Sequence, residues 1–522
     1  MQWVKQNKHK LLVLLFVSLY LVTRIPRLGN DEINPDAVNW YFRSQQFIVG
    51  LKTGQLEKTY QHYHPGVTLM WATGVLVEVY KQISNISLIN HQNFETFHWI
   101  SKVSIVAVQL VLTLLILFNL SKILGFEKSI IATSIFTFEP FFLANSRIYH
   151  MDAMLTLFVF LTLIYLFRYL NEHKLSLLVL TGIFATLSFL TKSVAIGTLV
   201  FGLIAIVYYD PVVRREKFTK PLIFALAFVL STYLFFPALW KFDLTPIKDI
   251  FNDAINIGVE EGHRQIIFGN YSLFTPWWFY VLIFVLKSSP LIILGSLTVL
   301  FFGIRDLVNN KKVNLRDPNL IFLTTVFYLG YLIVISISNK KLDRYFIVLY
   351  PYLALLTTIT VYKIIETFSD LKNFRTKFYI AIGCFVLFSN VIPTITYFPY
   401  YFTYSNPAFG RPTNANSIIG QKTFGMGIFD LRDYILSNYG DYPTLAMMDP
   451  KPISQIYPNS KLNHIVIDGV NSSEIVVLGI NDEKIISENS DSRIDDLYAN
   501  FQKEGSIEIN GLEYWEIYVK KK

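Results

Sequence analysis

The chain has 522 residues, of which 52% are apolar and only 16% charged, where soluble proteins carry about a quarter charged; its mean hydropathy is +0.40. These figures exclude a soluble enzyme and a disordered chain. The single cysteine, Cys384, excludes an intrachain disulfide framework and a CxxC zinc site. The net charge of +8 would suggest nucleic acid in a soluble protein. Here the basic residues collect in short connections between apolar runs, as in polytopic membrane proteins, so no nucleic-acid partner is expected.

The N-terminal MQWVKQNKHK and the following LLVLLFVSLYLV lack an A-x-A cleavage site and read as an uncleaved first transmembrane helix. A spanning helix needs about 20 mainly apolar residues. The runs 10–26, 99–120, 129–146, 153–169, 175–191, 193–209, 221–240, 278–303, 319–338, 345–365 and 377–397 predict about eleven spans. Only Lys192 interrupts 175–209, which reads as a tight helical hairpin. Nineteen Lys and Arg, from Lys5 to Lys377 and including Arg214, Arg215, Lys217, Lys311, Lys312 and Arg316, fall in short connections on one side. The positive-inside rule makes that side cytoplasmic, with the N-terminus in and the C-terminus out. The expected location is the plasma (inner) membrane, multi-pass.

Two segments on the opposite side are long loops, 27–98 and 241–277, and the third is the C-terminus. The expected organisation is a transmembrane domain, 1–399, and a small extracytoplasmic α/β domain, 400–522, which holds 16 of the 38 acidic residues. TLAMMD, KLNHIVIDG, SEIVVLGI and GLEYWEIYVK read as strands, and DLRDYILSNYG as a helix closing at Gly440.

Chemistry gathers on the same side as the long loops. In NDEINPDAVNWYFRS, Asp31, Glu32 and Asp36 lie just beyond the first span. Pro35 marks a helix start with acids near its N-terminus, which is either a solvated cap or a carboxylate base held at the membrane surface. NSRIYHMDAM puts Arg147, His150 and Asp152 in a short turn, where Arg147 and Asp152 can pair across the interface. Glu139 and Lys287 each fall about ten residues into a span, where an ionisable group is expensive and marks a partner helix or a polar cavity. Lys192 can snorkel from its hairpin tip. His263 and Arg264 can bind a phosphate or belong to an ordinary polar loop. NKKLDRY supplies Lys340, Lys341, Asp343 and Arg344 on the side that is otherwise poor in cations, a departure suited to an anionic lipid headgroup. Carboxylates near one loop and cations near others fit transfer from a lipid-phosphate donor.

Several patches also match a known family in its own order: INPDAVNWYFRS with TYQHYHPGVTLMW, EPFFLANSRIYHMDAMLT, SFLTKS, FFPALW, GHRQIIFG with PWWFYVLIFVLKSSPLIILG, KKLDRYFIVLYP, and PYYFTYSNPAFG with FGMGIFDLRDYIL. The chain resembles the protein O-mannosyltransferase and aminoarabinose transferase group of GT-C glycosyltransferases. The resemblance implies an all-α polytopic GT-C membrane fold and an inverting transfer of one sugar from a polyprenyl-phosphate donor to a hydroxyl on a protein, glycan or lipid acceptor. It implies a general base at Asp36, with Asp31 and Glu32 as the competing placement because they form the literal Asp-Glu pair. Asp152 becomes a second cavity acid. Arg43, Lys287 and Arg344 become candidates for the donor phosphate, and His64 for the cavity wall. Arg147, His150, Lys192, His263, Arg264, Lys341 and Asp343 complete the expected substrate-binding set. No cofactor and no metal are expected, since the oligosaccharyltransferase WWD motif is replaced by WWF at 277–279. A lipid-linked sugar flippase and a non-catalytic polyprenyl-lipid-binding relative are the competing readings.

Overall fold

The computed structural model describes residues 2–209, 218–308, 317–367, 372–489 and 491–521. Arg214, Arg215, Lys217, Lys311, Lys312 and Arg316, on which part of the expected orientation rests, lie outside the described residues. The helices are α1 (Gln2–Arg24), α2 (Pro35–Thr53), α3 (Val67–Ile83), α4 (Phe94–Leu124), α5 (Phe126–Thr137), α6 (Pro140–Arg147), α7 (Asp152–Glu172), α8 (Leu175–Thr191) and α9 (Ile196–Tyr209). Later helices, among them Thr219–Phe235, Phe279–Lys287, Pro290–Val308, Leu320–Ile337, Tyr350–Thr367 and Lys372–Val386, are named by range.

All eleven apolar runs form helix, but not all as continuous rods. By length and composition four described helical runs can cross a membrane: α4, α7, Leu320–Ile337 and Asp343–Glu366. The expected span 129–146 breaks at Phe138–Glu139, because Pro140 lacks the N–H that would continue the ladder and starts α6 instead. Glu139 therefore precedes a helix. Its carboxylate accepts from Ser289 N and Oγ, both at 2.6 Å. The expected span 278–303 likewise breaks at Ser288–Ser289, before Pro290. Lys287 thereby becomes the last residue of Phe279–Lys287. The segment 27–98, expected as a loop, contains α2 and α3, whose faces Trp40, Tyr41, Phe47 and Val67, Leu69, Met70 join the main core.

The hairpin of β1 (Gln265–Ile267) and β2 (Asn270–Ser272) lies in the second long segment between apolar runs, 241–277. The C-terminal sheet has the order β4-β3-β5-β7-β6. β3 (Thr444–Met447) runs parallel to β4 (Lys461–His464) and β5 (Ile475–Gly479). β7 (Leu512–Lys520) is antiparallel to β5 and to β6 (Phe501–Ile509). The four expected strands are present, but KLNHIVIDG is strand only over Lys461–His464 and continues as the short helix Ile465–Asp468. β6 was not expected: it is an edge strand rich in charge, FQKEGSIEI, and edge strands tolerate charge on both faces. One sheet face, with Leu445, Met447, Val477, Trp515 and Ile517, joins the helical core. The other covers a separate cluster of Ala446, Val476, Leu478 and Ile486. The helix Ile428–Tyr439 ends as expected at Gly440, whose φ is +77°.

Candidate active site

Two helix starts face each other. At the first, Asn34 caps α2 by accepting from Ala37 N at 2.8 Å, Pro35 supplies the preset first φ, and Asp36 sits in the first turn, where the helix dipole favours a carboxylate. The same Asn34 donates through Nδ2 to Glu32 at 3.2 Å and to the Tyr149 carbonyl at 3.5 Å. That second bond draws the turn between α6 and α7 towards α2, and His150 with it. At the second helix start, Asp152 occupies the first turn of α7.

Between them lies an alternating array of charge. Arg344 ion-pairs with both acids, Nη2 to Asp36 Oδ2 at 2.9 Å and Nε to Asp152 Oδ2 at 3.2 Å. Lys192 donates to Asp152 Oδ1 at 2.7 Å, and its ammonium lies 3.9 Å from the Tyr345 ring centre. His150 stands between the acids, Nδ1 at 2.9 Å from Asp152 Oδ2 and Nε2 at 3.7 Å from Asp36 Oδ2. Asp152 is 3% exposed at its side chain and Asp36 43%, so Asp36 is the acid that a substrate can reach. Burial alone would raise the Asp36 carboxyl, but Arg344 and then His150 outweigh it and hold it at about 2.

Next to this array is a cavity of about 450 Å³, with His64, Lys192, Ser193, Lys340, Tyr63 and Tyr345 on its wall and Phe251, Ile255, Val334 and Ile335 among its apolar lining. A second cavity of about 330 Å³ shares Val194, Tyr331 and Val334 with it and is walled by residues such as Leu155, Val159, Ile204 and Phe327. The two cavities adjoin: the first has Lys192 and Lys340 on its wall, and the second is lined almost entirely by apolar residues. The loop carrying His64 is fixed by Gly66 N bonding the Thr191 carbonyl at 3.3 Å and by a 2.7 Å bond between the Thr68 and Thr191 hydroxyls. Gly66 has φ +60°, and a Cβ there would lie 2.2 Å from the Trp40 ring, so this turn packs under Trp40 only as glycine.

The other sequence candidates fall into three groups. Arg43 stacks on Trp40 at 4.6 Å, near the array. His263 accepts from Lys422 Nζ at 2.9 Å, and that ammonium also donates to the Arg264 carbonyl at 2.8 Å, so the segment 241–277 and the C-terminal segment meet beside the site. Burial, then Lys422, pushes His263 down to about 3. The Arg264 side chain turns to the Tyr271 ring at 5.5 Å.

Asp31 and Glu32 stand apart from the array. Both are buried and shared by Lys102, whose Nζ lies 2.5 Å from Asp31 Oδ1 and 2.8 Å from Glu32 Oε1. The expected pair of Arg147 with Asp152 does not form. Arg147 binds Asp31 at 2.8 Å and the carbonyls of Thr23, Arg24 and Pro26, because the end of α1 and Asp31 pack directly against α6. Lys287 also lies outside the array, donating to the carbonyls of Tyr404 at 3.0 Å and Phe402 at 3.4 Å. Lys341 donates to the Ser338 carbonyl at 2.7 Å, and Asp343 accepts from Arg344 N at 2.7 Å. Among the described residues no group of three or more His, Cys, Asp or Glu is arranged to hold a metal ion.

The whole chain superimposes on ArnT of Cupriavidus metallidurans in the apo state over 97% of both chains, with a TM-score of 0.51 and 13% identity. It also superimposes on the apo oligosaccharyltransferase of Archaeoglobus fulgidus over 92% of this chain and 71% of that one, with a TM-score of 0.52 and 10% identity. This is the GT-C fold. Residues 97–240, from α4 to just past Thr219–Phe235, match the model of the family described as dolichyl-phosphate-mannose-protein mannosyltransferase. No curated protein matches the sequence. A further structure, the archaeal oligosaccharyltransferase AglB from Archaeoglobus fulgidus in complex with an inhibitory peptide and a dolichol-phosphate, matches at a TM-score of 0.50 and 10% identity, over 96% of this chain and 74% of that one. The family-matched GT-C segment carries Arg147, His150, Asp152 and Lys192. The segment that carries Asp36 precedes the matched range.

Proposed function

We propose that this GT-C chain is an inverting glycosyltransferase that moves one sugar from a polyprenyl-phosphate donor to a hydroxyl acceptor on the non-cytoplasmic face. One observation carries the reading: the first cavity is walled by Lys340 and by Lys192, which pairs with Asp152 of the Asp36–Arg344–Asp152 array, and it adjoins a second, apolar cavity. A phosphate ester of a long hydrocarbon has that same polarity. The dolichol-phosphate bound to the archaeal oligosaccharyltransferase, which shares the fold, supports it.

In this reading the acceptor hydroxyl oxygen attacks the anomeric carbon. The bond from that carbon to the phosphate oxygen breaks, and its electron pair leaves with the lipid phosphate. Asp36 takes the hydroxyl proton. Arg344 and Lys192, already oriented by Asp152, stabilise the second negative charge that develops on the phosphate. Lys340, Arg43 and His64 line the approach. The acceptor is a protein, glycan or lipid bearing a hydroxyl, and no metal takes part.

The test is donor turnover by purified protein in nanodiscs, with free polyprenyl phosphate followed by mass spectrometry. Wild type and Asp36→Asn are compared, with and without chelator. The proposal expects release by wild type that survives chelation and is lost in Asp36→Asn with donor binding retained. Binding of every donor without release from any, with acceptor hydroxyls supplied, would overturn it in favour of a lipid carrier.

A further inference from the structure

Asp36 touches His150 as well as Arg344, and the imidazole has an arrangement that donor binding does not require. Its Nδ1 lies in ion-pair contact, 2.9 Å from Asp152 Oδ2, although neither atom has a partner aligned for a hydrogen bond. Its Nε2 faces Asp36 Oδ2 across 3.7 Å, just beyond hydrogen-bond reach. The turn Ile148–Met151 that carries it is held from two sides. Asn34 bonds the Tyr149 carbonyl, and the Tyr149 hydroxyl donates to Thr73 at 2.9 Å and lies 3.2 Å from Ser44 Oγ. A buried histidine backed by a carboxylate on one nitrogen and open on the other is built to take a proton.

We infer that His150, oriented by Asp152, receives from Asp36 the proton that the acceptor hydroxyl gives up, so that Asp36 and His150 act as a two-station base. The inference rests on the glycosyltransferase reading above. The donor is a phosphodiester with one negative charge, and the departing lipid phosphate is a monoester with two. The acceptor proton is released in the same step. Passed from Asp36 Oδ2 to His150 Nε2, it becomes an imidazolium between two carboxylates, and the positive charge it adds balances the charge gained by the phosphate. Atoms and charge close without a further reactant. His150 thus acts through Asp36 and is a positioning and relay residue.

The groups facing the imidazole are Asp36 from α2, Asp152 from α7 and Arg344 ahead of Tyr350–Thr367, with Lys192 behind Asp152 and His62 beside Arg43. Burial and then Arg344 lower His150 from its ordinary value, while Asp152 and Asp36 pull it back. His62 and His263 are both pushed down to about 3, first by burial. An acid limb in turnover that lies below the ordinary histidine value but above the range of His62 and His263 therefore reports His150 alone of these three.

The experiment is the pH dependence of turnover for wild type, His150→Gln, His150→Asn and Asp152→Asn, with polyprenyl-phosphate sugar as donor and melting temperature measured alongside. Wild type should lose kcat/KM on the acid side of the ordinary histidine value as the imidazole becomes protonated. The two His150 variants should lose about 10²-fold in kcat, the low end for a proton-transfer group, keep the donor KM within about twofold, and lose that acid limb. Asp152→Asn keeps the imidazole but removes the carboxylate behind it, so its limb should move to lower pH. It also serves as the deciding variant if neither His150 variant folds. An unchanged acid limb in the variants that fold, however slow they are, would overturn the relay. Inactive wild type would instead overturn the glycosyltransferase reading, and active Asp36→Asn would overturn Asp36 as first station.

Discussion

Asp31 and Asp36 lie five residues apart in one segment, and replacing each with Asn should have opposite consequences. Asp36 is 43% exposed and pairs with an Arg344 that keeps Asp152 as a second partner. A carboxylate this open to solvent, whose removal leaves Arg344 still paired with Asp152, contributes about 0–1 kcal/mol, so Asp36→Asn should melt within a degree or two of wild type. Its turnover should fall by about 10² to 10⁴, the range for removing a general base. Asp31 is 3% exposed at its side chain and joins two buried cations. Removing one partner of a buried pair costs about 3–5 kcal/mol. The low end applies here, because Lys102 keeps Glu32 and Arg147 keeps three carbonyls. Asp31→Asn should therefore melt several degrees lower, while the molecules that remain folded turn over within about tenfold of wild type. Melting curves of purified protein and turnover per folded molecule are the assays. Equal melting of the two variants, with turnover lost only in Asp31→Asn, would refute both the placement of the base and the electrostatic reasoning behind it.

Gly330 lines the second apolar cavity, and a Cβ there meets nothing within 4 Å. Gly330→Leu should keep the fold and take space from the lipid tail; displacing about two methylenes at roughly 0.8 kcal/mol each raises KM for a long-chain donor by about tenfold, and a short-chain donor assayed in parallel should be spared. Lys287→Met should leave the carbonyls of Phe402 and Tyr404 without their donor, at about 1–3 kcal/mol for a buried group, and lower the melting temperature without changing donor KM. Gly425 has φ +69°, and a Cβ there would lie 1.9 Å from the Ile33 carbonyl oxygen; Gly425→Ala should push the Asp31–Asn34 segment off the C-terminal segment and lower kcat at unchanged donor KM, read by steady-state kinetics.

The apolar runs and the charge shift after residue 400 made the helical body and the C-terminal sheet legible, since both follow from periodicity that burial enforces. The breaks at Pro140 and Pro290 were written in the sequence too, but hydropathy averages across them. α2 was legible only at its Pro35 start; its length and α3 were hidden because polar residues such as Asn39, Lys52 and Glu78 interrupt the apolar pattern, while apolar residues such as Val75, Leu76 and Val79 face outward and blur any single stripe. Of the site, Asp36, His150, Asp152, Lys192 and Arg344 were all singled out before their contacts were known. Their mutual distances could not be, because they come from α2, the turn before α7, the end of α8 and the segment before Tyr350–Thr367. Lys102 gave only the signal of a lysine near a span end, and Lys422 gave none; each is explained by a partner at least 70 positions away in sequence.

The position of Arg344 joins the two ends of the proposed chemistry. A guanidinium has five N–H donors, and here Nη2 and Nε face Asp36 and Asp152. Donors on Nη1 remain for a phosphate, so the base and the leaving group can be held by one rigid fork. A lysine could not do this, because its ammonium is a point charge on a flexible stem without a planar fork. The same fork sets a limit on Asp36: while Arg344 is fully shared between the two acids, the carboxylate stays near 2 and is a weak base. A donor phosphate that draws on the guanidinium weakens its hold on Asp36 and raises the basicity of that oxygen when an acceptor is useful. Without a donor the carboxylate stays paired; with one, base strength and leaving-group stabilisation increase together.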